Sequence, residues 1–175
     1  MGLRRGETVT ASEARVEQHI GDLRRYAKAL LGDWRDADDL VQECLVRALA
    51  RPQLHKQVRD VRAYLFTILH NVYVDKVTRR PREKVGLDPV VTYLAHPAPQ
   101  PSSLELRDLA RALTRLPEEQ RQVVLLIGLE GLTYQQTAEV LDVPIGTVMS
   151  RLSRGREALR RMMDGEQHEA LRRVQ

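Results

Sequence analysis

Cysteine is almost missing: Cys44 is the single one among 175 residues. An internal disulfide needs two thiols and a multi-cysteine zinc or iron–sulfur centre needs several, so both are excluded. Cys44 itself is expected as a small buried hydrophobe. Aromatic residues are scarce too, with one Phe, one Trp and five Tyr, which leaves the core to aliphatic side chains. Long apolar runs are absent, since stretches such as residues 123–127 fall far short of the roughly 20 residues a bilayer span needs. The N-terminus, with Arg4 and Arg5, has no apolar signal core, so a cytoplasmic chain without membrane insertion is expected. Lysine is the last shortage. Only Lys28, Lys56, Lys76 and Lys84 stand among 28 cationic residues, and the arginine excess suits bidentate recognition of phosphates and base edges.

The net charge of +4 decides little, but its distribution is informative. Residues 33–43 hold five acids against Arg35, whereas residues 145–161 hold five arginines against Glu157. One chain thus carries an acidic patch and a basic helix, as two different partners would require. Five of the eight prolines (Pro81, Pro89, Pro97, Pro99 and Pro101) fall within residues 81–103, a stretch with little periodicity that reads as a linker. On either side the apolar spacing is helical. The expected fold is all-α: two small helical domains at residues 12–80 and 104–163, joined by a flexible Pro-rich linker at 81–103. Helices are expected near 12–31, 35–50 and 59–79, then near 103–115, 117–129, 134–141 and 145–163. Gly32 is the stop of the first, Asp33 or Asp36 caps the second, Ser102 or Ser103 caps the fourth, Pro117 opens the fifth and Thr133 precedes the sixth. Residues 1–11 and 165–175 read as frayed.

Residues 133–156 run TYQQTAEVLDVPIGTVMSRLSRGR: a short helix, a tight connection through Pro144 and a longer helix, which is a helix-turn-helix pattern. At 100° per residue, Ile145, Val148, Leu152, Gly155 and Leu159 gather on one side, with Ser150, Ser153, Arg154, Glu157 and Arg161 opposite and Met149 and Arg151 on the flanks. Hydroxyls and guanidiniums are the groups that bond phosphates and guanine edges in a major groove; a merely solvated arginine-rich helix is the plainer alternative.

At this point the chain resembles a known family. Ala112, Leu113, Leu116, Pro117, Arg121, Glu130, Gly131, Leu132, Thr133, Tyr134, Ala138, Leu141, Val143, Pro144, Gly146, Thr147, Val148, Ser150, Arg151, Leu152 and Arg154 are similar to the fourth conserved region of bacterial extracytoplasmic-function sigma factors. The resemblance implies binding to the minus-thirty-five promoter element and to the flap of the RNA polymerase β subunit. It places Met149, Ser150, Ser153 and Arg154 near base edges and Thr147 and Arg151 on phosphates. Met149 stands where a basic residue is common, and Asp142 where glycine is frequent, a substitution that Asp tolerates in a left-handed turn.

In residues 36–49, Ala37, Leu40, Val41, Cys44, Leu45 and Ala48 form one helical stripe, leaving Asp36, Asp39, Gln42, Glu43 and Arg47 outside. A magnesium-holding carboxylate cluster is one reading of the acids and a solvated face is another; capping and a helix N-terminus account for most of Asp36, Asp38 and Asp39. The segment resembles the sigma segment that docks on the clamp coiled coil of the polymerase β′ subunit. That resemblance makes Asp39, Gln42 and Glu43 polar contacts, with Leu40 partly shared with the core. An acidic, amide-bearing face suits an arginine-rich partner helix.

Residues 60–80 carry one core stripe (Val61, Leu65, Ile68 and Val72) and a second apolar side (Phe66, His70, Tyr73, Val74 and Val77) that a three-helix domain struggles to cover; either another body meets it, or the first helix or linker does. By resemblance, Tyr64, Leu65, Ile68, Asn71, Asp75, Arg79 and Arg80 fit the pattern that reads the minus-ten element and opens the duplex, with Tyr64 in place of a frequent tryptophan. Tyr64, Phe66 and Tyr73 are the candidate rings and Lys76, Arg79 and Arg80 the phosphate grip. Opening costs about 1.4 kcal/mol per stacked step, and capturing one base returns roughly 1–3 kcal/mol, so so few rings offset only one or two steps. Residues 65–75 also resemble the general-stress subgroup of alphaproteobacteria. A linker of residues 81–103 reaches about 75 Å, enough for promoter elements about 50–70 Å apart.

The resemblance therefore implies a sigma factor, not an enzyme and without metal or cofactor. It would direct promoter-specific initiation by core RNA polymerase on double- and single-stranded promoter DNA, in a stress response under an anti-sigma factor. A stand-alone helix-turn-helix dimer would leave the acidic helix idle, and a carboxylate-dependent nuclease would need magnesium.

Overall fold

The computed structural model describes residues 14–50, 58–79 and 103–173, with side chains described for 14–50, 58–78 and 106–164. The linker up to residue 102, Arg80, Ser102 and the Arg79 side chain lie outside these. All seven labelled elements are helices: α1 (Ile20–Leu31), α2 (Trp34–Leu49), α3 (Val61–Arg79), α4 (Ser103–Arg115), α5 (Glu118–Val124), α6 (Tyr134–Leu141) and α7 (Ile145–Arg173). None of the described helices is long and apolar enough to cross a membrane.

Local chemistry sets the boundaries. Gly32, at φ 80°, ends α1 by donating its N–H to the Lys28 carbonyl, and Lys28 Nζ donates in turn to the Gly32 carbonyl at 2.6 Å. Asp33 then caps α2, its carboxylate accepting from the N–H groups of Arg35 and Asp36 at 2.8 and 3.0 Å, so Asp33 and not Asp36 is the cap. Asp60 plays the same part for α3 through the Ala63 N–H. Thr133 and Gln136 exchange side-chain and backbone hydrogen bonds as a capping box at the start of α6.

Three boundaries differ from expectation. The first helix is split, because residues 14–17 are helical but 18–19 turn before α1 begins. The fifth is not uniform: Pro117 caps α5, and Leu125–Leu129 widens into a π-helical segment. The seventh runs to Arg173 rather than ending at 163: no proline follows, and Glu166, Gln167, Glu169, Ala170, Leu171, Arg172 and Arg173 are good helix formers that outweigh Gly165.

The first three helices pack as one bundle and the last four as another, and the two bundles are joined by α3 on α6 and by α1 on the π-helical segment. One hydrophobic core runs from Leu23, Phe66 and Leu69 through to Leu126, Val140 and Val148. On the second apolar side of α3, Phe66 and Tyr73 are buried, whereas Val74 is 40% exposed. Cys44 is buried as expected, its Sγ donating to the Leu65 carbonyl and its thiol pushed up to about 12 by burial.

Where α7 crosses α5 the helices approach closely over Gly155, whose absent Cβ would sit 2.8 Å from Val124 Cγ2. Gly155→Ala should therefore cost about 1–2 kcal/mol: overpacking of roughly 1–3 kcal/mol, less the roughly 0.5–1 kcal/mol gained by removing a helical glycine. A urea midpoint at or above that of the parent would show that Val124 yields instead.

Candidate functional site

Two open surfaces and one covered one emerge. On α7, Val148 and Leu152 are buried, at 0% and 4% exposure, and fix the rotation of the helix. Asp142 at φ 51° turns the chain out of α6, and the Thr147 N–H bonds the Pro144 carbonyl at 2.8 Å to start α7. That geometry leaves Met149, Ser150, Ser153 and Arg154 exposed and Thr147 partly so. Ser150 Oγ donates to the Thr147 carbonyl, and the Arg151 guanidinium is held 2.7 Å from Glu119 of α5. Of the six α7 residues expected to meet DNA, Arg151 is thus already braced against its own domain. Ile145, expected inside, is 44% exposed and stands one turn from Met149, which is 52% exposed. Sequence periodicity missed it because the first turn of a helix lies at the edge of the face that its later turns bury.

On α2, Asp39 and Gln42 are exposed, but Leu40 is fully buried and belongs wholly to the core, so it is no contact residue. Glu43 is only partly free: its carboxylate pairs with Arg47 at 2.6 Å and lies 4.0 Å from Lys76, while Arg47 also bonds Asp75 at 3.0 Å. An expected polymerase contact and an expected DNA contact, Glu43 and Lys76, therefore face each other across α2 and α3. The pattern reading missed Val46, 68% exposed, and took Leu49, 40% exposed, only as the last residue of the docking segment. With Asp39 and Gln42 they form one helical face with a polar start and an apolar end, and an unassigned apolar residue between buried stripes was the available signal. Asp38 is held in a bidentate pair with Arg24 at 2.8 and 3.0 Å. No three His, Cys, Asp or Glu side chains converge as a metal site among the described residues.

On α3, Asn71 is exposed and Tyr64 half-buried. Phe66 and Tyr73 are buried, at 0% and 4% exposure, which corrects the expectation of rings available to DNA. Phe66 stands edge-on to Tyr26, with ring centroids 5.4 Å apart, and Tyr73 is enclosed beside Glu118 and Arg121, its hydroxyl pushed up to about 12 by burial and by Glu118. Phe66 is enclosed through Tyr26 of its own bundle, and Tyr73 by the second bundle through Glu118 and Arg121.

Comparison with known proteins agrees with the arrangement. The sigma-70 region 4 family matches residues 106–159, and the sigma2 domain of PhyR matches residues 16–70. The ECF RNA polymerase sigma factor EcfG of Rhodopseudomonas palustris is 36% identical over 141 residues, 80% of this chain and 78% of the relative. SigE of Mycolicibacterium smegmatis is 36% identical over 152 residues, 83% of this chain and 58% of that one. Among solved structures, the sigma factor RpoE in complex with the anti-sigma factor NepR from Bartonella quintana superposes with a TM-score of 0.70 at 28% identity, covering 87% of this chain and 96% of that one. CnrH in complex with the cytosolic domain of CnrY gives 0.66 at 25%, covering 91% and 94%. With both bundles matched in order and the helix-turn-helix face open, the chain belongs to the extracytoplasmic-function family of RNA polymerase sigma factors.

Proposed function

We propose that this sigma factor docks on core RNA polymerase through the α2 face of Asp39, Gln42, Val46 and Leu49, and reads the minus-thirty-five element with α7. The observation that carries the reading is the joint exposure of that face and of the arginine- and hydroxyl-bearing side of α7 in one chain. Polymerase performs the chemistry; the sigma factor supplies address and strand opening, in the cytoplasm. Residues 12–80 act on the clamp and the minus-ten element, residues 104–163 on the upstream element and the flap, and residues 81–103 join them. Strand opening falls to Asn71 and Tyr64 and to the basic residues Lys76, Arg79 and Arg80, while Phe66 and Tyr73 are enclosed as long as the bundles are packed together. An anti-sigma factor of the kind bound to RpoE in its solved complex controls it in a stress response.

Gel filtration with core polymerase followed by in vitro transcription and start-site mapping tests the reading. A co-migrating complex and discrete start sites are expected, whereas a DNA-binding dimer indifferent to polymerase would end it. Arg154→Ala should cost about 1–3 kcal/mol at one upstream base pair; an equal loss on every sequence would make it a phosphate contact. Met149, apolar and exposed, suits a thymine methyl group. Replacing thymine by deoxyuridine at the base pair it meets should weaken the parent and leave Met149→Ala unaffected, and equal weakening of both would remove that contact.

A further inference from the structure

Glu130 follows the π-helical segment of the second bundle, yet its carboxylate is bound by the first. Its side chain is fully buried, with Oε2 2.8 Å from Arg25 of α1 and 2.9 Å from Arg62 of α3. Arg25 Nε also donates to Oε1 at 3.0 Å, and the same two guanidiniums hold Asp22, each at 3.0 Å. The wide turn aims it there: the Glu130 N–H bonds the Leu125 carbonyl and the Leu132 N–H the Leu126 carbonyl, with Gly131 at φ 67° between. Beside this cluster Gln136 of α6 donates to Asp60 at 2.6 Å.

The rest of the seam is poorly satisfied. Tyr26 Oη, His70 Nδ1 and Arg121 Nε are buried with no hydrogen-bond partner among the described residues. Tyr26 feels Tyr73, Arg121 and Glu130, and His70 feels Glu118, which locates all three groups where the bundles meet. Polar atoms that water would pair oppose closure, whereas the charged cluster favours it as long as both signs are present. Burial raises the Glu130 pKa, and the hydrogen bond and charge of Arg25 oppose that rise.

We propose that the Asp22, Arg25, Arg62 and Glu130 cluster is a latch that holds the sigma factor closed, and that it must release before both promoter elements can be read. This rests on the sigma reading above. Packed helices lie about 8–10 Å apart, and α3 packs directly on α6, the first helix of the helix-turn-helix, while the elements to be read together are about 50–70 Å apart. Two bundles in contact have less reach than the same bundles free at the ends of the linker. If one free molecule in ten is open, apparent affinity for a partner that needs the open form falls about ten-fold.

The test uses the full chain with probes at Arg35→Cys and Gln135→Cys, exposed positions on different bundles, and reads the inter-bundle distance with and without core polymerase. Glu130→Lys, which puts a cation beside two guanidiniums, should lengthen the distance and tighten polymerase binding about ten-fold. Adding Arg25→Glu restores two acids and two bases, and should return both readings to those of the parent. An unchanged distance overturns the latch, as does opening that the second substitution fails to reverse. Opening without a gain in affinity overturns its inhibitory role. If Glu130→Lys loses its helical circular dichroism, Arg62→Met makes the same comparison with the aliphatic stem kept. Failure of the parent to bind polymerase sinks the sigma reading alone, because the distance and its restoration still judge the latch.

Discussion

Gln42→Ala combined with Val46→Asp should weaken binding to core RNA polymerase by about 30-fold or more, the effect of losing about 2 kcal/mol at an interface centre. Val46 is 68% exposed, so the change removes nothing from the core. Burying such a side chain against a partner returns about 1.5–3 kcal/mol, and an aspartate in its place would be desolvated without a counter-ion. Glu43→Ala is the informative contrast. Its carboxylate already serves Arg47 and Lys76 at part-exposed positions, where an ion pair contributes about 0–1 kcal/mol, so its loss should trim stability slightly and leave docking nearly intact. Titrating each variant against labelled core polymerase separates them. Equal affinity for the Gln42 and Val46 double variant and the parent would move the docking face elsewhere, and a larger loss from Glu43→Ala would mean that polymerase pulls Glu43 out of its internal pairs.

That contrast shows what a sequence can and cannot carry. Helix ends are decided within a few residues, so Gly32 and Thr133 announced their roles by type and spacing, Asp33 was one of two cap candidates, and Asp142 was placed by the family resemblance. Periodicity likewise tells which residues share a side, and it separated Val148 and Leu152 from Ser153 and Arg154 correctly. What it cannot tell is which side finds a cover. The two apolar sides of α3 look alike in sequence, yet one meets α2 and the other meets α1 and helices that follow the linker. The rings of Phe66 and Tyr73 were therefore free on paper and enclosed in the fold. Glu130 was legible as part of a family motif, but nothing near it in the chain points to Arg25 or Arg62, which lie 105 and 68 residues away. The π-helical widening that turns it toward them leaves no compositional mark, because Leu, Ile and Gly suit either winding.

Phe66→Ala should be the most damaging single core change, at about 3–5 kcal/mol. The ring is wholly enclosed, edge-on to Tyr26 at 5.4 Å, with the Arg62 guanidinium 5.2 Å from its centroid, so truncation loses the transfer energy, leaves a cavity and loosens a latch residue at once. At about 2–4 °C per kcal/mol for a chain of this size, the melting midpoint should fall by roughly 10 °C or more. Phe66→Leu refills most of the volume and should cost under about 1.5 kcal/mol. That grading by volume separates packing from base capture, since leucine can fill a cavity but cannot stack a base as an aromatic ring does. A Phe66→Ala chain that melts with the parent yet forms no open promoter complex, with Phe66→Leu equally inactive, would return Phe66 to the strand-opening residues. It would also mean that α3 presents this side to DNA once the bundles part.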